Sequence, residues 1–325
     1  MKSIVYTALG QPEEVLSVES KNPRPLQQGE VRVEVLSAPI HNADILQIMG
    51  LYGRAAVLPA TPGGEGVGRV LEVAQDVTQL EAGTTVFIST GATWAQQVIS
   101  PAAALIPLPP GDVDQLAMLV SSPATAHLLL EGYGSLQKGD WLIQSAANSA
   151  VGSAVIQMAH ARGLRTVNIV RRAEVVDELK ALGADVVLVA SDDLPQRISE
   201  ATQGDEIKLA LDAVGGSTFK QLVDALSVGG TLVSYSQVIH EPAEVVPADL
   251  IFKQITVTGF WLTHWFSEAS LDDKQALFGH LIPMIANSDI TLAVDRAYSL
   301  DEIKQAVTHS MGGRRKGKVM LHPNS

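Results

Sequence analysis

The chain has no cysteine among its 325 residues. That absence excludes a disulfide framework, a thiolate nucleophile, an iron-sulfur cluster and any cysteine-ligated zinc site. Cations are scarce as well: 23 Lys and Arg stand against 35 Asp and Glu, a formal net charge of -12. Affinity for nucleic acid or an anionic membrane comes from neutralising phosphates with Lys and Arg, so neither is expected as the main partner. A local basic pocket remains compatible with this balance. Long apolar runs are also missing. The stretch 116–130 is broken by Ser121, Ser122, Pro123 and His127, well short of the roughly 20 apolar residues of a membrane span. Met1-Lys2-Ser3-Ile4-Val5-Tyr6 alternates as a strand does and has no basic-then-apolar leader pattern. A cytoplasmic protein without membrane association is expected. What the chain does have is bulk: 46% of it is hydrophobic, enough for one large or two ordinary domains with cores that need no covalent staple.

Two rhythms divide it. Up to about residue 120, short strand-like runs are punctuated by glycine and proline, as in Val31-Arg32-Val33-Glu34-Val35, 68–73 and Thr85-Val86-Phe87-Ile88. These predict a mostly β domain with a partly closed sheet. From about 121, apolar runs alternate with helical stretches: 141–144 then 149–162, 166–170 then 174–182, 186–189, 207–211 then 219–226, 231–234, and 255–258. Repeated β-α alternation with apolar strands predicts a parallel sheet covered on both faces. After about 264 come helical stretches at 274–286 and 300–310 and a closing strand Lys318-Val319-Met320-Leu321. The tail is expected to return to the first domain, which gives domains of 1–120 with 265–325, and 121–264. The last parallel strand, 255–258, would be a sheet edge open to pairing with a second copy.

The first strand-to-helix junction of the second domain reads Gln144-Ser145-Ala146-Ala147-Asn148-Ser149-Ala150-Val151-Gly152. In a Rossmann unit this turn lets a dinucleotide pyrophosphate approach backbone N–H groups at a helix N-terminus. Alanine, asparagine and serine stand here in place of most of the usual glycines, and by itself such a turn can simply open a helix. The next strand ends at Val170-Arg171-Arg172. Arginines stand where an NAD site would carry an acidic residue for the ribose, roughly 20 residues on. Their planar, permanently charged forks suit a 2′-phosphate, so the expected cofactor is NADPH. A solvated arginine pair is the alternative.

Over essentially its whole length the sequence resembles the medium-chain dehydrogenase/reductase superfamily. The likeness rests on Pro62-Gly63-Gly64-Glu65-Gly66-Val67-Gly68-Arg69-Val70, on 146–152, on Gly229-Gly230-Thr231-Leu232-Val233 and on Gly317-Lys318-Val319. It implies a GroES-like β-rich catalytic domain joined to a doubly wound Rossmann domain. In zinc-dependent members, three ligands come from segments that correspond here to His41, Gly64 and Ser121. Only His41 could bind a metal, and one imidazole cannot replace three ligands, so no metal is expected and His41 reads as a pocket-lining or packed side chain. Within the superfamily the chain is most similar to zinc-independent 2-enoyl thioester reductases, the enoyl-CoA and enoyl-ACP reductases of fatty-acid synthesis. The segments that carry this are 38–53, 163–171 and Gly259-Phe260-Trp261-Leu262-Thr263-His264-Trp265. One departure stands out: Ile40-His41-Asn42-Ala43-Asp44 replaces the family's usual Ile-Asn-Pro-Ser-Asp.

The resemblance implies that Tyr52 is the proton donor. A tyrosine hydroxyl, ordinarily titrating near about 10, suits that role without a metal, and the loop Gly50-Leu51-Tyr52-Gly53 suits display of a functional side chain. Matching positions imply further cofactor contacts. These are Ser122 and Thr125 toward the nicotinamide; Asn148, Ser149, Ala150 and Val151 at the pyrophosphate; Arg171 and Arg172 at the 2′-phosphate; and Tyr235, Ser236, Gln237 and Val238 after the fifth strand. Phe260, Trp261 and Leu262 would close over the carboxamide and acyl channel, with Lys318 returning from the tail. His41, Trp261 and Trp265 would line the substrate pocket. The implied activity is NADPH-dependent reduction of the C2=C3 bond of trans-2-enoyl thioesters, carried by CoA or an acyl carrier protein, in a homodimer paired through the Rossmann edge strand. A quinone or alkenal/enone reductase on the same scaffold is the alternative, and a non-catalytic NADPH-binding regulatory protein is a third reading. The run Gly313-Arg314-Arg315-Lys316-Gly317-Lys318 is the one dense basic segment that could dock an acidic carrier, or it is a solvated turn.

Overall fold

A computed structural model describes residues 1–237 and 241–325; Val238 lies outside the described residues. The chain divides into two compact units, Met1–Ser121 with Phe278–Ser325, and Ser122–Leu277. The return to the first unit falls at Phe278 rather than at 265. The helix Leu262–Glu268 follows directly on the last parallel strand and stays with the second unit, where the ring of Phe260 packs edge-on against Tyr133 at 6.5 Å.

In the first unit a seven-stranded sheet runs in the order Val294–Tyr298, Lys318–Leu321, Glu30–Pro39, Gly66–Val73, Thr85–Ile88, Leu105–Pro107, with Gln97–Pro101 also on Glu30–Pro39. Val31, Val33 and Val35 of the central strand are fully buried, together with Ile88, Val319 and Leu321. This burial is what the alternating pattern demands. The closing strand pairs antiparallel with the end of Glu30–Pro39, Met320 opposite Pro39, which brings Lys318 beside the residues that follow that strand. A helix, Asn42–Met49, comes next. The helical stretch after residue 299 opens with a short turn, Leu300–Glu302, before Ile303–Met311, because Glu302 accepts from the Ser299 N–H and hydroxyl and caps the start.

The second unit holds six parallel strands in the order Val186–Val189, Arg165–Val170, Trp141–Gln144, Ile207–Asp212, Thr231–Ser234, Thr256–Gly259. Numbered along the chain, that order is 3-2-1-4-5-6, the doubly wound arrangement whose switch point lies beside the first strand. The strands read as continuous apolar runs because both faces are covered; Leu142, Ile143, Leu209, Ala210 and Leu211 are fully buried. Thr256–Gly259 is a sheet edge with Val257 exposed. Since all six strands run one way, every segment that follows a strand emerges at the same edge of the sheet. Among the described residues no helix is long and apolar enough to cross a membrane.

Candidate functional site

Within the second unit, the turn after Trp141–Gln144 is built for an anion. Ala146 takes a left-handed backbone at φ 47°, a conformation that usually falls to glycine. The reversal is closed by the Ser149 N–H on the Ala146 carbonyl at 2.8 Å. Ser149 then caps the helix Ala150–Ala161 by accepting from the Gly152 N–H at 3.1 Å. The N–H groups of Ala150 and Val151, by contrast, meet no acceptor among the described residues. Two open donors at the positive end of a twelve-residue helix are the elements of a phosphate cradle. Gly152 lets the helix start sit on the turn: a Cβ there would lie 2.5 Å from the Ala147 carbonyl oxygen.

At the same sheet edge, Arg171 and Arg172 follow Arg165–Val170. Arg171 is exposed and Arg172 half-buried, and neither makes an ion pair or hydrogen bond within the described residues. Arginines elsewhere in this unit are engaged: Arg162 with Glu131, Arg165 with Asp205, Arg197 with Asp193. Two uncommitted guanidiniums beside an open helix N-terminus fit a phosphate-bearing dinucleotide, and Asn148 is exposed on the same turn.

Tyr235 comes to this turn from the far side of the switch point. Its hydroxyl is shut off from solvent without a well-formed hydrogen bond, and burial first, then the Asp212 charge, push it above the ordinary tyrosine range, with Ser149 opposing. Ser236 is half-buried and Gln237 exposed at the end of the same segment. Ser122 and Thr125 are buried: Ser122 lies within a wide helical turn, Val120–Ala124, that contains Pro123, and Thr125 starts the helix that follows. Trp261 is exposed at the start of Leu262–Glu268, whose Trp265 meets Phe266 edge-on at 5.1 Å.

Sequence reasoning missed what holds the turn up. Asp212, fully buried at the end of its strand, accepts from the Ser145 hydroxyl at 2.8 Å and from the Val214 and Gly215 N–H groups at 3.1 and 2.9 Å. Gln144, also fully buried, donates to the Gly152 carbonyl at 3.0 Å and to Asn168 at 2.7 Å. The available signal was a polar residue closing an apolar strand, as both Gln144 and Asp212 do.

The first unit holds the remaining candidates. Tyr52 is half-buried just past the helix Asn42–Met49. Gly50 ends that helix at φ 76°, where a Cβ would strike Leu9 at 2.8 Å, and the N–H groups of Leu51 and Tyr52 both bond to the Leu46 carbonyl at 2.8 and 3.2 Å. The loop carrying the tyrosine is therefore tied to its helix. At the other helix end, the buried Asp44 accepts from the N–H groups of His41 at 2.9 Å and Gly64 at 3.0 Å. Burial drives Asp44 above the ordinary carboxylate range against the opposing pull of His41 and Lys318.

His41 lies between two charges. Its Nδ1 is 2.8 Å from Lys318 Nζ and its Nε2 is 2.6 Å from Glu65 Oε1, the latter at an angle too poor for a well-formed hydrogen bond. Glu65 also accepts from the Val120 and Ser121 N–H groups at 2.8 and 3.0 Å. Burial raises the Glu65 pKa, but the His41 ring and the N–H donors outweigh it and leave it below the ordinary range. Lys318 is half-buried; loss of water, then the nearby Arg315, lower it to about 8 against the pull of Glu65 and Asp44.

This donor set does not suit a catalytic zinc. The His41 ring is engaged on both sides, Gly64 has no side chain and Ser121 offers only a hydroxyl. Among the described residues no group of three or more His, Cys, Asp or Glu side chains is placed to hold a metal. The basic run 313–318 is not one patch either: Arg315 turns inward and donates to the Ser310 carbonyl and hydroxyl at 2.6 and 3.1 Å, which leaves Arg314 and Lys316 exposed.

Comparison with known proteins agrees with this anatomy. Residues 27–110 match the alcohol dehydrogenase GroES-like domain model and residues 150–274 the zinc-binding dehydrogenase model. The mitochondrial enoyl-[acyl-carrier-protein] reductase of Rattus norvegicus is 34% identical over 319 residues, 96% of this chain and 86% of that protein. A Bacillus thuringiensis structure assigned as an NADPH:quinone reductase superposes with a TM-score of 0.91 at 30% identity, covering 99% of this chain and 98% of that one. The mitochondrial 2-enoyl thioester reductase Etr1p/Etr2p heterodimer from Candida tropicalis gives 0.89 at 27% identity over 99% of both chains. Etr1p in complex with NADP and crotonyl-CoA gives 0.90 at 26%, again over 99% of both.

Proposed function

The chain belongs to the medium-chain dehydrogenase/reductase superfamily, and from that premise we propose that it is an NADPH-dependent, zinc-independent reductase of the C2=C3 bond of trans-2-enoyl thioesters. The observation that carries this reading is the set of uncommitted cations and N–H donors gathered at one edge of the parallel sheet: Arg171, Arg172, and the N–H groups of Ala150 and Val151. The substrate class rests on the rat and Candida relatives, both named as reductases of enoyl thioesters or their carrier-bound form.

In this reading Ala150 and Val151 bind the pyrophosphate while Ser149 holds the helix start, and Arg171 and Arg172 pair with the 2′-phosphate. Asn148, Ser122, Thr125, Tyr235, Ser236, Gln237, Phe260, Trp261, Leu262 and Lys318 complete the cofactor contacts, and His41, Trp261 and Trp265 serve the substrate. NADPH, when bound, supplies the hydride that adds to Cβ. Charge then builds on the thioester carbonyl oxygen, and the Tyr52 hydroxyl gives a proton to Cα. The loop tied to Leu46 fixes where that hydroxyl can be. A homodimer through Thr256–Gly259 and a cytoplasmic location belong to the same proposal, although the rat relative is mitochondrial.

The test is a screen of acceptors with NADPH as donor. Oxidation that requires crotonyl-CoA or a longer enoyl thioester supports the reading, and Tyr52→Phe should then lose most turnover while still binding NADPH. Preference for a simple quinone or enone would favour the alternative that the Bacillus thuringiensis neighbour suggests. Tight NADPH binding without turnover on any acceptor would leave the regulatory reading.

A further inference from the structure

Lys318, His41 and Glu65 form a line in the first unit, running from the half-buried lysine to the buried histidine and glutamate. Lys318 opens the closing strand, His41 precedes the helix Asn42–Met49, and Glu65 precedes the strand Gly66–Val73. A largely desolvated ammonium needs an acceptor and a counter-charge. A charged ammonium can only donate, so Lys318 at 2.8 Å sets Nδ1 of His41 as its acceptor and the opposite ring edge, Nε2, faces Glu65 at 2.6 Å. The counter-charge therefore reaches the lysine through the ring. The other charges facing Lys318 are Arg315, which weakens its hold on a proton, and Asp44, which strengthens it. Arg315 in turn faces Asp295, which pairs with His309 at 3.0 Å and accepts from the Lys316 N–H at 3.0 Å.

We propose that His41 is a positioning residue whose ring clamps the Lys318 amine to Glu65, so that the remaining N–H donors and the positive charge of Lys318 are presented in one fixed place to an oxyanion. The oxyanion is a phosphate of the cofactor or the carbonyl oxygen of the reacting thioester, and this part rests on the function proposed above. The clamp is a feature of this chain, because asparagine usually stands at position 41 in the reductases it resembles.

Two substitutions divide it. The amide of Asn places its acceptor where Nδ1 sits but does not reach as far as Nε2, so His41→Asn keeps the lysine arm and loses the Glu65 arm. Gln reaches the Nε2 position, so His41→Gln does the reverse. Both conserve much of the volume, and a packing role would tolerate either. A clamp needs both arms. Each variant should therefore raise the NADPH Kd about tenfold if the oxyanion is the cofactor's, or lower kcat about tenfold at unchanged Kd if it is the substrate's. In wild type, as pH rises through about 8 and Lys318 loses its charge, the NADPH Kd should rise if the oxyanion is the cofactor's, or kcat should fall if it is the substrate's. Glu65→Gln should move that limb to lower pH and Arg315→Gln to higher pH. The Lys318 amine is also followed directly, by NMR of the full chain after reductive 13C-methylation of its lysines. That readout needs neither NADPH nor a substrate, so it stands if the enzymatic reading fails. Should a His41 variant not fold, Lys318→Met replaces it: added to Lys318→Met, Glu65→Gln should cost nothing more in binding or turnover. Wild-type Kd, kcat and alkaline limb in both His41 variants would overturn the proposal, as would full additivity in the Lys318→Met pair.

Discussion

Gly152→Ala puts the anatomy of the phosphate turn to a quantitative test. A Cβ at position 152 would lie 2.5 Å from the Ala147 oxygen and 2.7 Å from its carbonyl carbon and Cα, where non-bonded atoms want about 3.5 Å or more. Ala147 cannot yield, being fully buried with its N–H on the Ile169 carbonyl at 3.2 Å. The helix start must therefore lift by about 1 Å, pulling against the Ser149 hydroxyl at 3.1 Å and the Gln144 amide at 3.0 Å. Overpacking of this kind costs about 1–3 kcal/mol, which in a domain of this size lowers Tm by roughly 2–12 °C. The N–H groups of Ala150 and Val151 move with the helix. An anion at a helix N-terminus is worth about 0.3–2 kcal/mol, so the NADPH Kd should rise by about two- to thirty-fold. Thermal melting and a fluorescence titration with NADPH measure the two effects. Gly132→Ala is the control, since nothing lies within 4 Å of a Cβ there. Wild-type Tm and Kd in Gly152→Ala would show that the helix does not rest on the turn, and the phosphate cradle would have to be abandoned.

Replacing Arg171 and Arg172 together with Ala should weaken NADPH by about tenfold or more, since a hydrogen bond to a charged group is worth about 1.5–3 kcal/mol. NADH should change by less than about twofold, and equal loss of both in parallel titrations would remove the 2′-phosphate from the account. Ala146→Gly relieves a left-handed alanine worth about 1–2 kcal/mol and adds about 0.4–1 kcal/mol of unfolded-chain entropy. A gain of between zero and about 1.6 kcal/mol is therefore expected in urea unfolding, and a clear loss would mean the alanine is unstrained. If the proposed homodimer forms, light scattering of wild type should give the mass of two chains and Val257→Lys, on the exposed edge strand, that of one; a dimer unchanged by the substitution would place the interface elsewhere.

The parallel sheet was legible because its cause is local. A strand buried on both faces must be apolar throughout, and runs such as 141–144 and 207–211 can hardly be anything else in alternation with helices. That Arg171 and Arg172 follow the second parallel strand was legible for a similar reason, the run before them being apolar. Two helix starts were not: Gly216–Ala225 and Leu271–Ala286 begin three residues ahead of the positions read from periodicity, the second because Ser270 and Asp273 cap each other's N–H groups ahead of the apolar face. Least legible were the interior charges. Glu65 sat in plain view between Gly64 and Gly66, and Lys318 in a basic run, yet nothing near either names His41, 277 residues from its lysine. Pairings of that range leave no local pattern. Their effect is concentrated where the resemblance led one to look for metal. Two of the three positions that correspond to zinc ligands, Gly64 and Ser121, give their backbone N–H groups to Asp44 and Glu65, and the third, His41, gives its ring to Glu65 and Lys318. Carboxylates that would compete with ligands for a metal here organise backbone and imidazole instead. The positions where zinc ligands would be sought and the line of Glu65, His41 and Lys318 thus fall in one place, and His41 belongs to both.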